Sequence, residues 1–383
     1  MIKVLELGMT DTIGGIETYL YSQYQYFDRT QIHCDFINDK KYASLAYEQE
    51  FVQLGAGIVR MNANFSHNPL KFLQEFKTLL KEKKYDAIIA NATLYSLKQG
   101  CEMLVAKQVG IPVRVFHSHI ANGKKNGKTL VGWLVENPFC AGNCGKILTN
   151  RWACSNIAGK YFFHNKPFQL IHNSIDIQKF SFSSEVRDRV RGGLGLSPSR
   201  IVLGNVGRLH YPKNQRFLIS VLQECLSKGL DVELWFIGAY QQKWKEYQEV
   251  KKNIQRLGVQ DRVRFWGQRQ DVQDLLMGMD VFLLPSLFEG FPIVGLEAQC
   301  AGLPCIFHSA ITSEIQIAPH VRFLPVDGSA ESWVKQISEF ANFPVVREDG
   351  TMYVRQAGYT LEENTYSLQN LLVEALSETN NEQ

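Results

Sequence analysis

Several common signatures are missing from this 383-residue chain, and each absence removes a class of protein. No run of about 18 apolar residues occurs, so no segment is long enough to cross a bilayer as a helix. The G-x-G-x-x-G fingerprint is absent from the loop after the first strand, which argues against nicotinamide redox chemistry. No period of solenoid length repeats. The start, Met1-Ile-Lys-Val-Leu-Glu-Leu7, reads as a strand rather than a secretory leader. Eight cysteines are scattered, and Cys34, Cys225, Cys300 and Cys305 sit in apolar surroundings, as reduced core thiols do. Cys140-Ala-Gly-Asn-Cys144, with Cys154 beyond it, has a zinc-like spacing. No second pair or nearby histidine completes four ligands, so core or loop thiols are expected instead.

What is present is ordinary in bulk and uneven in distribution. Hydrophobic residues make up 45% and charged residues 21%, and the length suffices for two α/β domains. The net charge of +3 divides unequally: 20 Lys and Arg against 13 Asp and Glu over residues 1–172, then 21 against 25 over the remainder. The basic half carries Lys81-Glu-Lys-Lys84 and Lys124-Lys-Asn-Gly-Lys128. These lysines lack the interleaved aromatic residues of nucleic-acid readers, so an anionic membrane surface or a phosphate-bearing acceptor is the better partner. A solvated surface explains them equally well.

Short apolar runs alternate with amphipathic ones along the chain, the pattern of doubly wound parallel sheets. Strands are predicted at Ile2–Leu7, Cys34–Ile37, Gly57–Arg60, Ala87–Ala90 (with Asn91 at its tip), Val113–Phe116 and Arg151–Ser155. Helices are predicted between them, at about Glu17–Phe27, Tyr47–Leu54, Pro69–Lys83 and Ser96–Val109. Thr129–Val135, an apolar run after three lysines, suits either a core helix or an interfacial segment. Gln169–Asp176 reads as the crossing to a second domain, followed by a polar stretch from Ser181 to Arg200. The alternation then resumes with strands at Ile201, Val232–Ile237, Arg262–Trp266, Val281–Pro285 and Pro304–Phe307. Helices are predicted at about Lys243–Leu257, Val272–Met277 and Ser329–Phe340. An amphipathic segment from Leu361 to Ser377 is positioned to pack back on the first half.

The candidate site residues cluster at strand ends, where open α/β sheets bind ligands. After the Val281 strand come Glu289-Gly290-Phe291-Pro292-Ile293-Val294-Gly-Leu-Glu297. Pro292 suits the first helical turn, and the N–H groups of Phe291, Ile293 and Val294 form an anion site. A phosphate flanked by two hydroxyl-bearing groups, as in a nucleotide sugar, matches two carboxylates at this spacing. Arg208 and Lys213, in the loop after the Ile201 strand, share that edge and would neutralise a diphosphate. Gly14-Gly15 lies between the first strand and helix, where backbone can approach a ligand closely. His117 ends the Val113 strand, with His119 beside it.

With Gly14-Gly15, His117, Gly207-Arg208, Lys213-Asn214 and Glu289/Glu297 together, nearly the whole chain resembles the retaining glycosyltransferases of family 4, the group 1 glycosyltransferases of GT-B architecture. That resemblance implies two Rossmann-like domains facing each other across a cleft: residues 1–172 on the acceptor side, 173–360 on the donor side, and a terminal helix over about 361–383 packing on the first. It implies that Arg208 and Lys213 bind the donor diphosphate, Glu297 the ribose and Glu289 the sugar hydroxyls, with Gly290 and the Phe291–Val294 stretch adding contacts. Gly14 and Gly15 would approach the donor, and His117 would line the reaction centre in a positioning or electrostatic role. Neither metal nor other cofactor is expected. Asn173-Ser174 departs from the usual Asn-Gly at a hinge. Gly-Gly-Ile-Glu-Thr and Phe-His-Ser-His resemble capsule and exopolysaccharide enzymes, which implies a sugar acceptor on a polyprenyl diphosphate and a cytoplasmic location on the inner membrane face. The alternatives are an epimerase of nucleotide sugars, a non-catalytic nucleotide-sugar-binding subunit and a membrane-free polymer synthase.

Overall fold

The structure, a computed structural model, describes residues 1–39, 43–92, 96–119, 147–164, 166–342, 346–347 and 350–381. Lys124–Lys128, Thr129–Val135 and the Cys140–Cys144 pair lie outside the described residues. The chain forms two compact units: Met1–Ser174 with Leu361–Gln383, and Ile175–Thr360.

In the first unit, strands β1 (Ile2–Leu7), β2 (Ile32–Asn38), β3 (Gly57–Arg60), β4 (Ala87–Ala92), β5 (Val113–Ser118), β6 (Asn150–Ala153) and β7 (Gln169–Leu170) make one sheet. Its order is β3-β2-β1-β4-β5-β6-β7, and the pairs are parallel. The strands read as apolar runs because helices cover parallel sheets on both faces. The helix Pro69–Lys83 begins where expected, because Asn68 caps it through Lys71 N and proline occupies its first turn. Phe72, Phe76 and Leu80 from this helix pack on Leu5, Ile88 and Met103. The last helix, Leu361–Asn381, belongs to this unit. Thr365 Oγ1 donates to Gln23 Oε1 at 2.5 Å, and Gln369 Oε1 accepts from Asp28 N at 2.9 Å.

The second sheet comprises β8 (Ile201–Val206), β9 (Val232–Ile237), β10 (Val263–Gly267), β11 (Val281–Leu284), β12 (Cys305–His308) and β13 (Val321–Leu324). Its order is β10-β9-β8-β11-β12-β13, again parallel. Phe236, Leu283, Leu218 and Trp333 are buried in the core on one side.

Four expectations need correction. The sheet of the first unit does not end at β6, because Gln169 and Leu170 pair with Trp152 and Ala153 before the chain leaves. The polar stretch from Ser181 to Arg200 contains the helix Ser184–Gly193, capped by Ser183 and anchored by Arg187 and Arg191 on Asp280. Five of its ten residues are charged and Arg191 is its one buried residue, so no apolar stripe marks it in the sequence. The second sheet ends at β13 rather than β12. Val321–Leu324 is short and carries Arg322, which hides it among loop residues. Pro292 is the N-cap residue, and the helix starts one position later, at Ile293.

Candidate functional site

In each sheet the chain reverses its winding between two adjacent strands, β1 and β4 in the first and β8 and β11 in the second. Loops leave in opposite directions at such a point and open a crevice at the carboxyl edge. The candidate residues of the second unit gather there.

After β8, Gly207 N donates to Ile237 O at 2.8 Å and Leu209 N to Ala239 O at 3.0 Å, so this loop runs along the one after β9. Gly238 makes the approach possible: its φ is +139°, and a Cβ there would lie 2.3 Å from Gly207 O. Gly238→Ala is therefore expected to destabilise the second unit by roughly 2–4 kcal/mol. Denaturant unfolding would measure it, and a wild-type midpoint would show that the loop can move aside. The loop then makes a tight turn at Tyr211–Lys213 and enters the helix Gln215–Ser227, where Gln215 Nε2 donates to Arg208 O at 2.9 Å.

The loop after β11 is fastened to this one. Leu287 N donates to Pro212 O at 2.8 Å, and Lys213 Nζ meets Glu289 Oε1 at 2.6 Å. Two residues 76 apart in sequence thus form an ion pair beside the switch point. Arg208 is exposed on the same loop as Lys213, and no salt bridge is seen for it among the described residues. His308, the last residue of β12, donates from Nδ1 to Ser286 O at 2.9 Å and holds the base of the β11 loop.

The helix Ile293–Cys300 starts within this arrangement, and its first N–H groups, those of Ile293 and Val294, have no intrahelical acceptor. Phe291 lies outside the helix, with its ring stacked on Tyr359 at 5.1 Å. Gly290 and Pro292 are buried at the helix entrance. Glu297 is 8% exposed, and burial pushes its pKa up to about 7, with Lys179 acting in the opposite direction. A buried carboxylate with no ion pair among the described residues, one turn inside a helix start, is ready to accept hydrogen bonds from a ligand.

At the first unit's switch point, Gly14 caps the helix Gly15–Tyr26. A Cβ at Gly15 would meet nothing within 4 Å, so packing within the protein does not demand that glycine. Gly8 is different: with φ +103°, its Cβ would fall 2.1 Å from Asn91 O. His117 lies at the carboxyl end of its strand as expected, as the penultimate residue of β5 rather than just beyond it, and pairs with Trp152 across the sheet. Its ring is buried beside Tyr19 and His119, with centroids at 5.3 and 4.0 Å. Burial, reinforced by His119, holds its pKa well below the usual histidine value, so the imidazole is neutral near pH 7.

Sequence reasoning left Glu6 and Tyr19 out of this cluster and saw Asn91 only as a strand tip. Asn91 Nδ2 donates to Glu6 Oε2 at 2.7 Å, and Asn91 Oδ1 meets His119 Nε2 at 2.9 Å. A carboxylate between Leu5 and Leu7, in the apolar second half of the first strand, was the available signal for Glu6. Among the described residues no group of three or more His, Cys, Asp or Glu side chains could hold a metal ion. No described helix is long and apolar enough to cross a membrane.

The two doubly wound domains have the GT-B architecture, and two glycosyltransferase family models together match most of the chain, which is an enzyme of that class. Residues 13–179 match the model described as Glycosyltransferase Family 4, and residues 200–342 match Glycosyl transferases group 1. The chain is 27% identical over 368 residues to the putative glycosyltransferase EpsF of Bacillus subtilis, covering 94% of this chain and 93% of that one. It is 25% identical over 318 residues to the UDP-Gal:alpha-D-GlcNAc-diphosphoundecaprenol alpha-1,3-galactosyltransferase of Escherichia coli, covering 80% and 79%. HepE of Anabaena, solved with UDP and glucose, superposes with a TM-score of 0.79 at 19% identity, covering 98% of this chain and 100% of that one.

Proposed function

We propose that the protein transfers a sugar from a UDP-sugar to a saccharide acceptor carried on a polyprenyl diphosphate, with retention of anomeric configuration and without a metal ion. The observation that carries this reading is the Lys213–Glu289 pair, set beside the start of the Ile293–Cys300 helix at the switch point of the second sheet. It puts a cation, a carboxylate and free helix N–H groups within one short stretch of sheet edge. A sugar diphosphate needs that combination: positive groups for the phosphates and a carboxylate for the sugar hydroxyls.

In this reading Arg208, Lys213 and the N–H groups of Ile293 and Val294 hold the diphosphate. Glu297 accepts from the ribose hydroxyls and Glu289 from those of the sugar, with Gly290, Phe291 and Pro292 shaping the approach. The sugar C1–oxygen bond to the diphosphate breaks, and the acceptor oxygen forms the new bond on the same face. The acceptor proton passes to the departing phosphate oxygen. Arg208 and Lys213 stabilise the charge that grows there, so the chain itself supplies what a metal would. Gly14 and Gly15 let the first loop approach the donor, and neutral His117 positions substrate rather than acting as a general base.

The acceptor assignment draws on the E. coli relative, whose name specifies a diphosphoundecaprenol-linked sugar, and on the basic first half. A role in extracellular polysaccharide synthesis at the cytoplasmic membrane face is proposed on the resemblance of Gly-Gly-Ile-Glu-Thr and Phe-His-Ser-His to capsule and exopolysaccharide enzymes. The epimerase alternative gains no support from these relatives. Calorimetry with a panel of UDP- and GDP-sugars tests the donor: one UDP-sugar is expected to bind at micromolar strength, about −8 kcal/mol. Transfer to GlcNAc-diphosphoundecaprenol would then be assayed, with NMR of the product anomer. An inverted anomer, or binding by no donor in the panel, would sink the reading.

A further inference from the structure

The buried cluster at the first switch point contains a hydrogen-bond chain whose polarity can be worked out from donors and acceptors alone. Asn91 is 2% exposed and spends its amide nitrogen on two acceptors, Glu6 Oε2 at 2.7 Å and the Leu7 carbonyl at 3.2 Å. A backbone carbonyl can only accept. The amide therefore cannot be turned over, whatever the protonation of Glu6. Its backbone is fixed as well: Gln99 Nε2 donates to Asn91 O at 3.0 Å, and Gly8 packs on the same oxygen.

Asn91 Oδ1 consequently faces His119 Nε2 at 2.9 Å, and only an N–H can bond it. His119 stands in a crowded, half-buried position that pushes its pKa down to about 3, so the ring is neutral. Its single proton is on Nε2, and Nδ1 is left as a lone pair. The ring packs against His117 at 4.0 Å and Tyr19 at 5.0 Å. His117 Nε2 and Tyr19 Oη, both buried, find no protein partner among the described residues. Glu6, Tyr19, Asn91 and His117 line a common cavity of about 20 Å³, the size of a water molecule. Tyr19, Tyr24, Cys34 and His117 are the titratable groups that share this cavity with Glu6, and none of them is a cation near pH 7.

We infer that Asn91, backed by Glu6, is a positioning residue: it locks His119 in the Nε2–H tautomer and so presents Nδ1 as a hydrogen-bond acceptor for a hydroxyl of the saccharide substrate. The lock itself follows from the structure, and its use by a saccharide rests on the function proposed above. Glu6 can do this while protonated or ionised, because Asn91 is the donor in either case.

The full-length protein with ¹⁵N-labelled histidine tests it, with His119 assigned by comparison with His119→Gln. Long-range ¹⁵N–¹H spectra are expected to show His119 as a neutral Nε2–H imidazole from about pH 5 to about pH 9, a range in which an ordinary histidine titrates. An Nδ1–H pattern, or an imidazolium at neutral pH, in the wild-type protein would overturn the lock without any variant. In Asn91→Leu the tautomer is released, and kcat with the UDP-sugar that turns over should fall about tenfold, the loss of one oriented hydrogen bond. UDP affinity should stay unchanged in that variant, which a merely unfolded protein would not manage. Wild-type kcat in a variant whose tautomer has changed would refute the positioning role. If none of UDP-glucose, UDP-galactose and UDP-N-acetylglucosamine turns over in the wild type, the transferase reading fails, and the imidazole spectrum still decides the lock.

Discussion

Glu289→Gln is expected to lower kcat/KM for sugar transfer by roughly 100- to 1,000-fold, the range seen when one charge-stabilising group is removed from an active site. The expectation follows from the ion pair that Glu289 makes with Lys213 at 2.6 Å, where the two side chains keep 14% and 26% of their exposure. In the free protein each charge neutralises the other. A bound diphosphate offers Lys213 a stronger partner, which frees Glu289 for the sugar hydroxyls. Glutamine presents an amide where both the ammonium and the sugar require an anion, so both tasks suffer. The fold should survive, since the pair is only part-buried and glutamine keeps the shape of the side chain. Steady-state kinetics with the preferred UDP-sugar, alongside circular dichroism, would measure the loss. Because both residues act on one donor, Lys213→Met combined with Glu289→Gln should cost little more than the worse single change. An unaltered kcat/KM in Glu289→Gln would remove this carboxylate from the site.

Glu297 carries the second large effect, and here stability and binding should move in opposite directions. Burial raises its folded pKa from 4.5 to about 7. The stability linked to its protonation is fully present below pH 4.5 and disappears as pH rises through about 7. Glutamine stays neutral throughout, so Glu297→Gln should melt several degrees higher than wild type at about pH 8 and nearly level with it at about pH 4, a difference on the order of a few kcal/mol. Donor affinity should respond the other way. Ribose hydroxyls bond best to the ionised carboxylate, so wild-type affinity for a UDP-sugar should fall as pH drops below about 7, approaching tenfold per unit. The diphosphate of a UDP-sugar holds its charge across this range, which makes Glu297 the group that titrates. Glu297→Ala should lose roughly 10- to 100-fold in affinity at about pH 8, the contribution of one or two hydrogen bonds to a charged group. Calorimetry in buffers of different ionisation heat would detect proton release on binding at about pH 6. A pH-independent affinity would assign the ribose to another partner. A more stable and less active Glu297→Gln would mark the buried acid as a place where stability is given up for binding.

Much of this protein was legible in one dimension. Two doubly wound sheets follow from alternating apolar strands and amphipathic helices, because a parallel sheet needs a crossover of helix length and burial on both faces. Val281–Leu284, with four buried residues in a row, is the plainest case. The helix Pro69–Lys83 is another, since an asparagine cap and a proline in the first turn set its start. What escaped was short or masked by charge. The helix Ser184–Gly193 shows a polar face to solvent and is held by arginines on Asp280, and such pairing leaves no periodic trace.

By itself, then, the sequence determined the class of fold and the strand ends at which charged and small residues accumulate. Those features depend on local hydrophobic period and turn chemistry, which neighbouring residues settle among themselves. Only the tertiary structure decided which of these ends meet. The pairing of Lys213 with Glu289 required β8 and β11 to become neighbours although two strands intervene in the chain. The tautomer of His119 likewise depends on Asn91 being held by Leu7 and Glu6 from a different strand. Partners of that kind are set by strand order, and a linear spacing carries no record of it.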